Sequence, residues 1–323
     1  MNDADWRPSA TRDALQLRAA LLAETRSYFA QRGVLEVETP ILAHATVTAV
    51  HLSSLRTRIA GLGDFYLQTS PEYAMKRLLA AGSGDIYQIA RVFRDGERGS
   101  LHNPEFTLIE WYRLGFDSHA LMDDVSQLLT RLLAPHRALG ASERVTYREA
   151  IRGITGIDPF AANDRELLEC VQRAGVTLPE PPPQERDDCL DLLMSTVVGP
   201  KLGSGRLTFV YEYPASQAAL ARLKPGDPAV AERFETYLDG IELANGFREL
   251  ADSEEQRLRF AQDLEVRRAR GLELPSADER LLAALAAGMP ECAGVAVGFD
   301  RVVMRATGAR RIDEVIAFAA ERA

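Results

Sequence analysis

The sequence predicts an α+β fold: an antiparallel sheet flanked by helices, with a helical insertion. Three observations carry that prediction. Asp85 to Arg94 and the stretch from Glu105 onward both alternate side chains between two faces, and a charged, glycine-punctuated loop opening at Asp95-Gly96 joins them as a hairpin. Asp239-Gly240, the pair preferred in two-residue hairpin turns, sits between two further such segments. Between the strands lie runs with apolar residues at helical spacing, as in Leu121, Val125, Leu128, Leu129 and Leu132.

Taken in order, Ser9 is placed to cap a first helix with a core face of Leu15, Leu22 and Phe29, stopped by Gly33. GVLEVETPIL then reads as a short strand halted at Pro40. Leu55 to Ile59 and Phe65 to Thr69 are further strands. Ser70-Pro71 supplies an N-cap and a first-turn proline for a helix through Leu79, with Glu72 at its positive end. Ser118 begins the helix of leucines. From about 140 to 205 the insertion holds two helices, Asp164 to Ala174 and Glu185 to Val198, around the stiff Pro179-to-Pro183 segment. Leu207 to Tyr213 returns to strand, and Pro214 to Arg222 to helix.

Across the Asp239-Gly240 turn the expected register sets Leu238 against Ile241, Tyr237 against Glu242 and Glu235 against Ala244. Glu235 and Glu242 then share a face as diagonal neighbours, ~7–8 Å apart. Ser253 with Gln256 forms a capping box for a helix ending near Gly271. Its arginines, Arg257, Arg259, Arg267, Arg268 and Arg270, read as a solvated face. A helix over Asp278 to Ala287, then Gly294 to Arg301 leading into a final helix, close the chain.

Composition narrows the function. A net charge of −9 opposes general nucleic-acid binding, which relies on a positive field. No apolar run approaches the ~18–20 residues of a membrane span, and MNDADWRPSA lacks the order of a secretion signal, so the reading is cytoplasmic. Cys170, Cys189 and Cys292 are odd in number and lack metal-ligand spacing, which reads as buried thiols.

The chemistry concentrates in four stretches. Period two in the second hairpin strand puts Phe106, Leu108, Glu110 and Tyr112 on one face, with Arg94 and His102 at the loop ends. A ring, a carboxylate and a phenol in a row can cradle a base, a phosphate chain and an amine; an ordinary wet hairpin face fits the same pattern. Glu235 and Glu242 on one face repel unless a cation lies between them, which suits magnesium shared with phosphate oxygens; two exposed glutamates are the alternative. Asn245, Phe247 and Glu249 follow with period two toward the same cleft. Gly294, Ala296 and Gly298 let a ligand approach a strand closely, and Arg301 strengthens a helix start suited to phosphate.

Phe93 to Arg113, FRDGERGSLHNPEFTLIEWYR, resembles motif 2 of the class II lysyl-tRNA synthetases. GVAVGFDR resembles their motif 3, and the helix, strand and proline ending at Pro40 resemble motif 1, their dimer interface. TSPEYAMKRLL from Thr69, FVYEYPASQAALA from Phe209 and GIELANGFREL from Gly240 are similar to the elongation factor P β-lysine ligase family, a paralogue of the lysyl-tRNA synthetase catalytic domain. The resemblance runs from about Trp6 to the C-terminus.

It implies one catalytic domain over residues 1–323 without an N-terminal anticodon-binding OB-fold, since only about ten residues precede the first helix. It implies ATP-dependent activation of (R)-β-lysine as an acyl adenylate and transfer to a lysine ε-amine of elongation factor P, with ATP and Mg2+, by a cytoplasmic homodimer that binds neither tRNA stably nor membranes. Arg94 and Arg301 are the implied catalytic residues. Arg94 takes the α-phosphate and substrate carboxylate, and His102 and Arg301 the outer phosphates. Asn103 joins the ATP site, Phe106 stacks on adenine, and Glu235 and Glu242 hold magnesium. Glu72, Glu110, Tyr112, Asn245 and Glu249 surround the substrate amines, with Ala296 as pocket wall where the synthetases have glycine. One departure stands: motif 2 usually has an acid where this chain has Gly96, and Glu97 follows. A truncated lysyl-tRNA synthetase and a non-catalytic synthetase-like regulator remain the alternatives.

Overall fold

The computed structural model describes residues 6–179, 182–183, 185–226 and 228–323. Helix α1 (Arg12–Ala30) is capped by Thr11, whose hydroxyl accepts the Ala14 amide. Ser9 is not the cap. It pins the chain's two ends together, its amide donating to Ala317 and its Oγ accepting from Ala319. The strand expected after α1 shrinks to β1 (Leu35–Glu36) and β2 (Leu42–Ala43), separated by the proline-containing stretch. Next come β3 (Arg56–Ile59), β4 (Gly63–Leu67), α2 (Glu72–Ala80), β5 (Ile86–Phe93), β6 (Glu105–Leu114) and α3 (Ser118–Leu133). Beyond these lie β7 (Glu143–Thr146), α4 (Tyr147–Thr155), α5 (Asp164–Arg173) and α6 (Arg186–Leu193), the last continuing as a π turn over Met194–Val198. The remainder is β8 (Thr208–Pro214), β9 (Leu223–Lys224), β10 (Val230–Leu238), β11 (Ile241–Arg248), α7 (Ser253–Ala269), α8 (Glu279–Gly288), β12 (Cys292–Gly298) and α9 (Phe299–Thr307).

The main sheet runs β1-β5-β6-β12-β11-β10-β8-β7, with β9 beside β10, while β2, β4 and β3 form a small second sheet. Its pairings are antiparallel except β1 with β5 and β7 with β8. The helix-flanked antiparallel sheet is therefore present. One face is sealed by α1, α3 and α9, where Phe29, Trp111, Leu128 and Phe299 are fully buried. Each such side chain contributes ~1.5–3 kcal/mol by leaving water. Because side chains alternate, the strand that sends Ile109 and Trp111 into this layer turns Leu108, Glu110 and Tyr112 to the opposite face. That opposite face carries the site.

The most consequential departure lies at the Asp239-Gly240 turn. Both residues have positive φ (48° and 76°), as a tight turn of the favoured hairpin type requires. Leu238 opposes Ile241 and Tyr237 opposes Glu242, as expected, but the register then shifts: Thr236 pairs with Ala244 and Glu235 with Asn245. Leu243 is bulged out of the ladder so that it and Ala244 both enter the helical core. The bulge keeps Glu242 on the open face and brings Asn245, rather than Ala244, opposite Glu235.

Other expectations are corrected. Pro214 to Arg222 is not a helix. It holds a single turn at Ala215–Gln217, Ala219 adopts φ 50°, and Ala221 bridges to Glu249. The cap of α7 is Asp252, accepting the Glu254 and Glu255 amides, not Ser253. Arg267 is not solvated. It is 5% exposed and donates to the carbonyls of Thr48, Ala49, Leu52 and Glu273, fixing the loop before β3.

Between β7 and β8 the two expected helices are joined by α4, whose Thr146–Glu149 capping box was available in the sequence as T-x-x-E. These helices share a core of their own with Tyr147, Leu167, Leu193 and Val210. Glu180, Pro181 and Gln184, in and beside the proline segment, lie outside the described residues. The three cysteines are free and buried. Among the described residues no helix is long and apolar enough to cross a membrane.

Candidate active site

On the open face, β6, β11, β12 and the start of α9 line a cleft of ≈ 340 Å³. One end is cationic. Arg94 leaves β5 with its Nε donating to the Thr69 carbonyl (3.4 Å), its Nη1 at 3.4 Å from Glu97 Oε1, and its guanidinium 5.0 Å from the Phe106 ring centre. Arg301, in the first turn of α9, donates to the Glu242 carbonyl at 2.8 Å and sits 3.5 Å from its carboxylate. Its other terminal nitrogen lies 2.8 Å from His102 Nε2. Burial first, then the neighbouring guanidinium, pull the His102 pKa down, which makes Nε2 a neutral acceptor. Two guanidinium groups, an imidazole and an aromatic ring thus line one wall. Asn103 borders the cleft but spends its amide on the main chain, donating to Glu105 and accepting from Ala320. Glu97, the acid beside Gly96, is also a wall residue and the partner of Arg94.

Across the cleft stand Glu235 and Glu242. Glu235 accepts from Tyr237 and from Arg233, both at 2.5 Å. Partial burial in the cleft, then the charge of Glu235, raise the Glu242 pKa, with Arg301 opposing. Among the described residues no third His, Cys, Asp or Glu completes a metal cage. Two hard oxygen donors with the remaining positions open fit a magnesium ion that keeps water or phosphate ligands. Arg233, which the sequence reading passed over, also donates to Asn245 Oδ1 (3.0 Å) and to the Gln217 carbonyl (2.9 Å), so one side chain orients Glu235 and Asn245 together.

Ala296 pairs with Glu110 on one side and Asn245 on the other, and lines the cleft. Beyond it the lining becomes acidic. Glu110 is buried, accepting from Tyr112 at 2.7 Å and from Ser70 at 2.8 Å. Burial and then the Glu72 charge push its pKa up to about 7. Glu249 is buried beside it and pushed up to about 8, chiefly by burial, against the pull of Lys76. Lys76, fully buried on α2, reaches Glu72 at 2.7 Å and Glu249 at 2.5 Å. Burial disfavours its charge, but the two carboxylates outweigh it and hold the ammonium protonated. Gly294 forms the floor: a Cβ there would lie 2.3 Å from Tyr112 and 2.5 Å from Glu249. Lys76 was absent from the sequence-based site, although its i+4 spacing from Glu72 on one helix face was a readable signal.

Of the expected residues, Arg94, His102, Phe106, Glu242, Asn245, Ala296 and Arg301 line one cleft, with Glu235 beside it. Glu72, Glu110, Tyr112 and Glu249 gather around Lys76 in the adjoining pocket.

The profile of class II tRNA synthetases (D, K and N) matches residues 2–322. The chain is 49% identical to the elongation factor P--(R)-beta-lysine ligase of Vibrio cholerae serotype O1 over 328 residues, covering all of both chains. It is 50% identical over 325 residues to the protein of that name from Klebsiella pneumoniae (strain 342), with 99% of each covered. The Erwinia tasmaniensis counterpart is also 50% identical, over 324 residues. The chain belongs to the class II tRNA synthetase family, in the branch of the elongation factor P β-lysine ligases.

Proposed function

We propose that the protein activates (R)-β-lysine with ATP and transfers it to a lysine ε-amine of elongation factor P. One observation carries the reading: three carboxylates and one internal ammonium share the pocket beyond Ala296. With all of them ionised the pocket holds a net charge of −2, the complement of the two ammonium groups of a diamino acid. The substrate's own carboxylate then points back along Ala296 to Arg94.

In the first step that carboxylate attacks the α-phosphorus of ATP, and pyrophosphate leaves. Arg94 draws the carboxylate and α-phosphate together, and Arg301, with His102 as neutral partner, takes the outer phosphates. Phe106 offers its ring to adenine. Glu235 and Glu242 hold magnesium, which supplies positive charge against the phosphate chain. In the second step the acceptor amine attacks the acyl carbonyl, AMP leaves and the amine gives up a proton. The chain acts as one catalytic domain with about 140–205 as its insertion, and as a cytoplasmic homodimer. Exposure of Leu35 and Ile41, in the stretch resembling motif 1, supports the dimer.

A second reading, aminoacylation of tRNA, draws on the family match. The net charge of −9 weighs against it. ATP–pyrophosphate exchange tests the amino-acid assignment. β-Lysine should drive exchange better than α-lysine, because the Ala296 methyl crowds an α-ammonium, and Ala296→Gly should raise α-lysine activation by ~10–200-fold. An unchanged ratio between the two lysines in the variant would remove Ala296 from the pocket wall, and exchange driven by neither would overturn the substrate class.

A further inference from the structure

We propose that Lys76 is a specificity-determining residue: an ammonium built into the protein that neutralises one of three pocket carboxylates and leaves a charge that only a dication balances. The inference rests on the pocket reading above and adds to it which protein group sets the pocket's charge.

The geometry is that of an occupied subsite. Lys76 is 1% exposed, so its charge serves the interior alone. Its Nζ lies between Glu72 Oε1 and Glu249 Oε2, at 2.7 and 2.5 Å, and 5.4 Å from the centre of the Phe247 ring. No other cation contacts either carboxylate among the described residues. Glu110 is held instead by two neutral hydroxyls, those of Ser70 and Tyr112, so among the described residues no cation pairs with it when it ionises. Glu249 Oε2 is taken up by Lys76 at 2.5 Å, while its Oε1 has no hydrogen-bond partner among the described residues and stays open to a ligand N–H. Three carboxylates this close repel strongly in a buried site, and one internal ammonium leaves a charge of −2 rather than −3. A monoamine leaves one buried charge unpaired, and burying an unpaired charge is strongly unfavourable. Lys76 thereby acts through Glu72 and Glu249 and does not itself join the reaction.

A purely structural lysine would make no prediction about charge-compensating double variants, and this separates the two roles. Exchange is measured with β-lysine and with 3-aminohexanoate, which lacks the distal ammonium. The enzymes are wild type, Glu249→Gln, Lys76→Met and two doubles, Lys76→Met/Glu249→Gln and Lys76→Met/Glu72→Gln. Glu249→Gln lowers the charge to −1 and is expected to cut the preference for β-lysine by ~10-fold or more, mainly through KM. Both doubles restore −2, and each is expected to recover most of that preference. Two doubles keep the test decisive if one fails to fold, and thermal denaturation identifies the folded ones. A folded double with a preference no better than Glu249→Gln overturns the role of Lys76. A wild-type preference in Glu249→Gln itself would instead overturn the pocket reading on which the inference rests.

Discussion

Glu110 and Glu249 show how the site's electrostatics are poised at the level of single residues. Both are buried, and burial lifts them from the ordinary 4.5 to about 7 and about 8. A carboxyl whose folded pKa is raised stabilises the empty enzyme below its ordinary pKa, and that stability is lost as pH climbs through the raised value. A diammonium ligand reverses the preference, because it binds the ionised carboxylates. Ligand binding near neutral pH should therefore release protons. Calorimetry of β-lysine binding in buffers of different ionisation heat should show this release, and affinity should fall as pH drops below about 8 and then about 7. Binding that takes up protons, or an affinity indifferent to pH between 6 and 9, would contradict the ionised-carboxylate pocket; these bounds lie about one unit outside the two values.

At the scale of elements, legibility followed local physics. The β5–β6 hairpin and α3 were readable because each declares its period and its ends, and Leu121, Val125 and Leu128 are buried as their spacing demands. Elements fixed by distant partners were not. Ala219 breaks the expected helix after β8 through a left-handed backbone, and Arg267 is drawn inward by four carbonyls that no sequence window displays. The bulge at Leu243 has the same origin: two consecutive apolar residues, Leu243 and Ala244, both find places in the helical core. Its consequence is chemical, since it leaves Glu242 on the face of Glu235 and adds Asn245 to it. Glu235→Gln and Glu242→Gln should each raise the magnesium concentration needed for half-maximal exchange, by ~10–100-fold. Wild-type magnesium dependence in both variants would exclude them as ligands.

At the scale of the whole molecule, the sheet joins two sites that the sequence presents as separate motifs. Strand β12 carries Gly294 at the acidic pocket, Ala296 at the junction and Gly298 before Arg301, so one extended segment spans both. The motifs and their order were legible because each is a contiguous run. The pairing of Lys76 with Glu249 and the bridge from Arg233 to Asn245 were not, because those partners lie on other elements. Together the two sites would load a diamino acid onto a protein amine. Mass spectrometry of elongation factor P after incubation with the enzyme, ATP and β-lysine tests this most directly, with lysine tRNA present as competitor. One added β-lysyl mass on a single lysine of the factor, with the tRNA left uncharged, is the expected result; efficient aminoacylation of the tRNA with an unmodified factor would overturn the assignment.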